Sequence, residues 1–213
     1  MTPRRALFFD VDGVVVHGYH TRPEKRRRWD EHILRDLEIE PDAFTQVFIE
    51  GPFVNEVLTG HRSLVAALNE TLPQLGFRGS PMKLLDYWLL RDSQLNYQLL
   101  DLIRELRLIG GGPIYLATNQ EHLRAFHLWS SLGLKAYFDD IFYSARLGVL
   151  KPQTGFFNRI LEVIGAQSES PLFFDDSEAV VSGVAAFGWE GVLYESLESC
   201  TEHPWVAGLL NAS

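Results

Sequence analysis

At 213 residues the chain can bury one substantial core with a small satellite domain and is too short for several large domains. Its apolar fraction of 46% and charged fraction of 22% suit an ordinary globular protein, and no stretch reaches the roughly 18 uninterrupted apolar residues of a membrane span. With 28 acidic against 19 basic residues and a formal charge of -9, general binding to nucleic acid or to an anionic membrane is disfavoured.

The opening residues MTPRRALFFDVDG carry two arginines before an apolar run, but acidic residues interrupt that run, so no secretory signal is expected. The lone Cys200 excludes an intramolecular disulfide and fits a reducing, cytoplasmic setting.

The first element in chain order is the strand-like run Ala6 to Phe9, which ends in Asp10 and Asp12. In an extended segment, residues i and i+2 project from the same side, so the two carboxylates are expected to be neighbours. Such a pair persists where a cation lies between its members or where one of them holds a proton. The plainer reading is a polar strand end followed by an Asp-Gly turn at Gly13.

More than one hundred residues separate Phe9 from the next strand, and most of them read as helical. Asp42 to Val47, Thr59 to Leu72 and Leu95 to Leu108 carry apolar residues at helical spacing, the last as the crossover into the second strand. This leaves residues 17–90 as an all-helical insertion over the strand ends. Within it, Lys25, Arg26, Arg27 and Arg28 read as a solvated helix face, with the anion-attracting rim of a pocket as the alternative. His17 and His20 lack companions at metal-binding spacing and read as hinge or surface residues. The tryptophans read as packing residues, Trp29 being placed on the insertion side of a pocket.

The second strand, Ile114 to Ala117, leads into Thr118 and Asn119, where Thr118 taken alone reads as a helix N-cap. A helical pattern from Leu123 to Leu132 stops at Gly133, and the strand Ile141 to Tyr143 follows. Lys151 sits before Pro152, a setting that in isolation suggests a surface residue. After a helix over Phe156 to Ile164, the strand Leu172 to Phe174 runs straight into Asp175 and Asp176, with another helix starting near Ser177. The last strand is Val192 to Tyr194. Strand and helix in alternation predict an α/β fold with a parallel sheet covered on both faces and ligands at the carboxyl ends of the strands.

The order Asp-x-Asp, Thr, Lys, Asp-Asp, each member at a strand end or in the loop after it, resembles the haloacid dehalogenase superfamily of phosphohydrolases. FFDVDGVV resembles its first motif, LATN its second, Lys151 in GVLKP its third and FFDDS its fourth. The surrounding text is similar to the subgroup of sugar-phosphate phosphatases and the phosphatase domain of soluble epoxide hydrolases. The resemblance implies a Rossmann-like core of residues 1–16 and 91–213 with a small all-helical cap of residues 17–90. It implies Asp10 as a nucleophile that becomes an aspartyl phosphate, and Asp12 as the acid and base for the leaving group and for water. Mg²⁺ would be held by Asp10, the backbone carbonyl of Asp12 and Asp176, with Asp175 as a second or water-mediated ligand. Thr118, Asn119 and Lys151 would bind the phosphoryl group. The implied substrate is a small phosphorylated metabolite, sugar phosphates included. Two alternatives stand beside this reading: a 2-haloacid dehalogenase, which needs neither a leaving-group acid nor Mg²⁺, and a non-catalytic phosphate-binding module. One departure is Val180, where many relatives have an asparagine that supports the metal ligands.

Overall fold

The computed structural model describes residues 5–212. Five strands, β1 Leu7–Phe9, β2 Ile114–Thr118, β3 Asp140–Tyr143, β4 Leu172–Asp175 and β5 Glu190–Leu193, form one parallel sheet in the order β3-β2-β1-β4-β5. The central place of β1 explains its unbroken apolar run. Phe8 points to one face, among Phe142, Phe157, Phe173 and Trp189, while Leu7 and Phe9 point to the other, among Leu116, Phe138 and Phe174. A strand buried on both faces has no position for a polar side chain, so its carboxylates appear only where it ends.

The helix Tyr97–Leu108 covers one face through Leu99, Leu102, Ile103 and Leu106, the stripe its sequence shows. The helices Thr154–Ile164 and Glu178–Phe187 cover the other through Phe156, Phe157, Ile160, Val180 and Val184. Among the described residues no helix is long and apolar enough to cross a membrane.

Between β1 and β2 the chain gathers the helices Ile33–Leu37, Pro41–Phe44, Leu64–Thr71 and Pro81–Arg91 around a separate apolar cluster that includes Phe44, Phe48, Leu68, Leu84 and Trp88. A wide helical stretch, Thr45–Val57, is broken at Gly51, next to Pro52. Helix begins at Leu64 rather than Thr59, because Gly60 turns the chain at φ 73° and the Ser63 side chain caps the start by accepting from the Ala66 N–H. The segments entering and leaving this helical unit run side by side: Val16 bridges Leu95, and the His17 N–H donates to the Gln94 carbonyl at 2.8 Å.

Two expectations for this unit are corrected. Trp29 stacks on Trp88 with ring centroids 4.9 Å apart, inside the apolar cluster rather than against the acidic cavity described below. The basic run is exposed but forms no helix face beyond a single turn, Pro23–Lys25. Its side chains are engaged locally, Lys25 with the Glu195 carbonyl, Arg27 with Gln94 and Arg28 with Asp30. Lys25, Arg26 and Arg27 line a different cavity, which they share with Glu195 and Glu198.

Phe8 is fully buried and lies 4.9 Å from Trp189 and 5.1 Å from Tyr115, centroid to centroid. Phe8→Ala is expected to cost about 3–5 kcal/mol in denaturant unfolding. A loss under about 1 kcal/mol would contradict the packing described for the centre of the sheet.

Candidate active site

The connections after β1 and β4 lead to opposite sides of the sheet, which opens a crevice between their carboxyl ends. Asp10 follows β1, its N–H continuing the ladder by donating to the Phe174 carbonyl at 2.9 Å, while Asp175 closes β4 and Asp176 comes next. All three are buried, and one carboxylate oxygen of each lies within 4.8 Å of the others.

Lys151 enters from the loop after β3, 6% exposed, with Nζ 2.8 Å from Asp10 Oδ1 and 2.7 Å from Asp175 Oδ2, and it donates to the Ala117 carbonyl at 2.9 Å. The surface reading of this lysine fails because Asn119 draws its backbone inward. The Asn119 side chain accepts from the Lys151 N–H at 2.8 Å and donates to the Lys151 carbonyl at 3.2 Å. Both ends of the Asn119 amide are therefore held by this loop.

Burial pushes the Asp10 carboxyl up to about 8, with Lys151 pulling it back and Asp175 and Asp176 pushing it further. Burial likewise raises Asp175 against the pull of Lys151. Burial alone would lower Lys151, but Asp10 and Asp175 outweigh it and the ammonium is held charged. Counted as ionised, three carboxylates against one ammonium leave a formal charge of -2 among side chains little exposed to solvent. Despite the nearby ammonium, Asp10 Oδ1 is a buried acceptor without a well-angled hydrogen bond. An all-oxygen donor set with two uncompensated negative charges fits a hard divalent cation such as Mg²⁺.

The two adjacent aspartates differ in what already holds them. Asp175 accepts from Lys151 through Oδ2 and from the Ser177 N–H, at 2.9 Å, through Oδ1. Asp176 accepts from the Thr21 N–H and hydroxyl through Oδ2, at 2.6 and 2.8 Å, and among the described residues no donor reaches its Oδ1. Gly13 makes this approach possible: its φ is 77°, and a Cβ there would lie 2.7 Å from Asp176 Oδ2. His20 is buried against Asp176 instead of lying on the surface. Its Nδ1 accepts the Arg22 N–H, and burial lowers its pKa, so the 3.1 Å approach to Asp176 is a contact of a neutral ring rather than an ion pair.

Asp12 belongs to a second arrangement. β1 ends at Phe9, and the N–H groups of Val14, Val15 and Val16 all donate to the Val11 carbonyl, so Asp10 to Asp12 is the start of a tight turn and the extended i, i+2 geometry does not apply. The Asp12 carboxylate is gripped by both terminal nitrogens of Arg124, at 2.9 and 2.7 Å, and by the Gln120 amide. Arg124 also lies 3.0 Å from Asp92, which closes the helix Pro81–Arg91 and accepts from the Trp88 indole. Although Arg124 is buried, Asp12 and Asp92 hold its pKa above the usual value, so it stays cationic. Sequence reasoning singled out none of Gln120, Arg124 and Asp92. An arginine between Leu123 and Ala125 in a helical pattern reads as solvated, and only the sheet geometry turns it inward.

Thr118 ends β2 almost fully buried and is not a helix cap, since Glu121 caps His122–Phe126 by accepting from the Leu123 and Arg124 N–H groups. With Asp10, Asp12, Asn119, Lys151, Asp175 and Asp176 it lines a cavity of about 450 Å³ between the strand ends and the helical unit. All seven candidate residues thus meet there. Val180 lines it too while packing among Phe157 and Trp189, so this position supplies an apolar wall.

A family model for haloacid dehalogenase-like hydrolases matches residues 4–188. No curated protein matches the sequence. Among solved structures, the chain is similar to a HAD family enzyme of Bacteroides thetaiotaomicron, with a TM-score of 0.75, 18% identity, and 94% of this chain and 98% of that one covered. A complex of the same enzyme with magnesium and inorganic phosphate gives a TM-score of 0.73 at 18% identity, covering 90% and 94%. An L-2-haloacid dehalogenase of Xanthobacter autotrophicus, with chloropropionic acid covalently bound, gives 0.61 at 20% identity, covering 95% and 82%.

The oxygen inventory distinguishes the paired aspartates. In a calorimetric Mg²⁺ titration, Asp176→Ala is expected to weaken binding by tenfold or more, the scale of losing one ligand, and Asp175→Ala by less. Equal or reversed effects would move the direct ligand to Asp175.

Proposed function

Because the chain belongs to the haloacid dehalogenase-like hydrolase family, we propose that it is a Mg²⁺-dependent phosphatase of small phosphate monoesters, working through an aspartyl phosphate on Asp10. In this reading residues 17–90 are a helical cap and residues 1–16 and 91–213 the catalytic core. The observation that carries the reading is the division of labour around the cavity: a carboxylate cluster fit for a dication at Asp10, and a separate carboxylate, Asp12, held by Arg124 and Gln120. Displacing a halide from carbon needs neither a dication nor a proton donor for the departing group, so a dehalogenase has no use for either device. A module that only binds phosphate has no use for the second. The Bacteroides complex with magnesium and inorganic phosphate supports the same choice.

In the first step a carboxylate oxygen of Asp10 attacks phosphorus as the ester P–O bond breaks. Asp12, entering this step as the carboxylic acid, delivers its proton to the departing alkoxide. Water then attacks the aspartyl phosphate, giving up a proton to Asp12 as the acyl–phosphate bond breaks, which releases inorganic phosphate and restores the Asp10 carboxylate and the Asp12 acid. Lys151 and Thr118 hold the phosphoryl oxygens at the strand ends. When bound, Mg²⁺ supplies the positive charge that keeps Asp10 ionised and offsets the repulsion between two anions. Arg124 and Gln120 orient Asp12 toward the leaving oxygen.

Asp10→Asn is expected to abolish Mg²⁺-dependent hydrolysis of an aryl phosphate, and the wild type is expected to release no halide from 2-chloropropionate. Retained phosphatase activity in a deamidation-checked sample would remove Asp10 as nucleophile, and halide release would favour the dehalogenase. Arg124→Lys keeps a charge but loses the two-pronged grip on Asp12. It is expected to slow alkyl phosphates, whose leaving groups need the proton, at least tenfold more than dinitrophenyl phosphate. Equal slowing would make Arg124 a merely structural residue.

A further inference from the structure

The cavity has a polar end and an apolar end. Asp10, Thr118, Lys151 and the aspartate pair stand at the strand ends, whereas the helical unit faces them with Ile49, Phe53, Val54 and Leu58. Ile49, Phe53 and Val54 flank the break at Gly51, and Leu58 follows the end of the same stretch. Phe53 is anchored from behind by Phe48 and Trp88, at centroid distances of 5.6 and 5.4 Å, which makes the wall stiff. Opposite it, Pro152, Ala179 and Val180 extend the apolar surface from the core side. The charged residues of the same stretch, Glu50 and Glu56, do not line the cavity.

Most polar side chains around the cavity are already engaged with the protein, Tyr19 and Ser177 being the hydroxyls that accept a hydrogen bond and keep their own proton free. Asn119 is held by the backbone of Lys151, Gln120 and Arg124 by Asp12, and Thr21 by Asp176. Against Ile49, Phe53, Val54 and Leu58 a sugar hydroxyl or an amino-acid charge would lose water without gaining a partner, whereas hydrocarbon gains from the same transfer. The cavity, about 450 Å³, lies at the small end of ligand sites.

We propose that the leaving group is a compact, uncharged, mainly hydrocarbon alcohol, so that the substrates are alkyl or aryl phosphates and Ile49, Phe53, Val54 and Leu58 determine specificity. This rests on the phosphatase reading above and sets sugar phosphates aside as preferred substrates.

The test is kcat/KM with saturating Mg²⁺ for ethyl, propyl, butyl and phenyl phosphate against glucose 6-phosphate and phosphoserine, with dissociation constants of the matching non-hydrolysable alkylphosphonates in parallel. Each added methylene is expected to raise kcat/KM, and to tighten phosphonate binding, about fourfold. Glucose 6-phosphate and phosphoserine are expected at least tenfold below butyl phosphate. Turnover with a flat alkyl series, or with a sugar phosphate preferred, overturns the inference and leaves the phosphatase standing. Phosphonate binding that tightens with chain length while no ester is hydrolysed supports the apolar wall and removes the phosphatase. Val54 is 40% exposed, so Val54→Asn is tolerated by the fold, and it is expected to cut the gain per methylene to under about twofold. Phe53→Ala serves as a second variant, and an unchanged gain in both overturns the assignment of the wall.

Discussion

The ammonium of Lys151, buried between Asp10 and Asp175, is the interaction on which the site depends. It joins the ends of three strands, since the same nitrogen also donates to the Ala117 carbonyl of β2. Without it, three buried carboxylates would share the crevice with no ammonium between them, and burying unpaired ions costs several kcal/mol each. Its placement is itself a backbone matter. Asn119 grips the peptide on both sides of Lys151, so the loop after β3 is tied to the end of β2 before any ligand arrives.

A single ammonium cannot balance three carboxylates, and burial strengthens the pull of the surplus negative charge on a cation. Asp12 escapes this competition because the chain turns at Val11 and delivers its carboxylate to a different partner. Arg124 and Gln120 give Asp12 an environment distinct from that of Asp10, two residues away. Two nearby carboxylates in unlike surroundings suit the proposed division between a nucleophile and a proton carrier.

The same contacts bind the helical unit to the sheet. Arg124 reaches from beside the sheet to Asp92 at the end of the helix Pro81–Arg91, and Asp92 is held in turn by Trp88 from the apolar cluster of that unit. On the opposite side Thr21 reaches back to Asp176 across Gly13. One linker of the helical unit thus ends on the carboxylate of Asp176 and the other on Arg124, which holds Asp12, so short polar contacts join both to the site. The apolar face at the break of Thr45–Val57 stands where these contacts set it, opposite the strand ends.

Much of this was legible in the sequence. Unbroken apolar runs ending in acidic residues located β1 and β4, because a strand covered on both faces admits no polar side chain until it leaves the sheet. Thr118 and Lys151 were found through the family resemblance that the order of the motifs carries, although each in isolation reads as a helix cap or a surface residue. What the sequence by itself determined, then, is where each strand stops and which chemical groups stand there, since burial and periodicity are properties of neighbouring residues. Only the tertiary structure decided that Arg124, Gln120 and Asp92 surround Asp12, that the basic run turns to a different cavity, and that Ile49 and Phe53 face the strand ends. Those pairings join residues far apart in the chain, and a side chain's partner across such a distance is set by the packing of whole elements rather than by its neighbours in sequence.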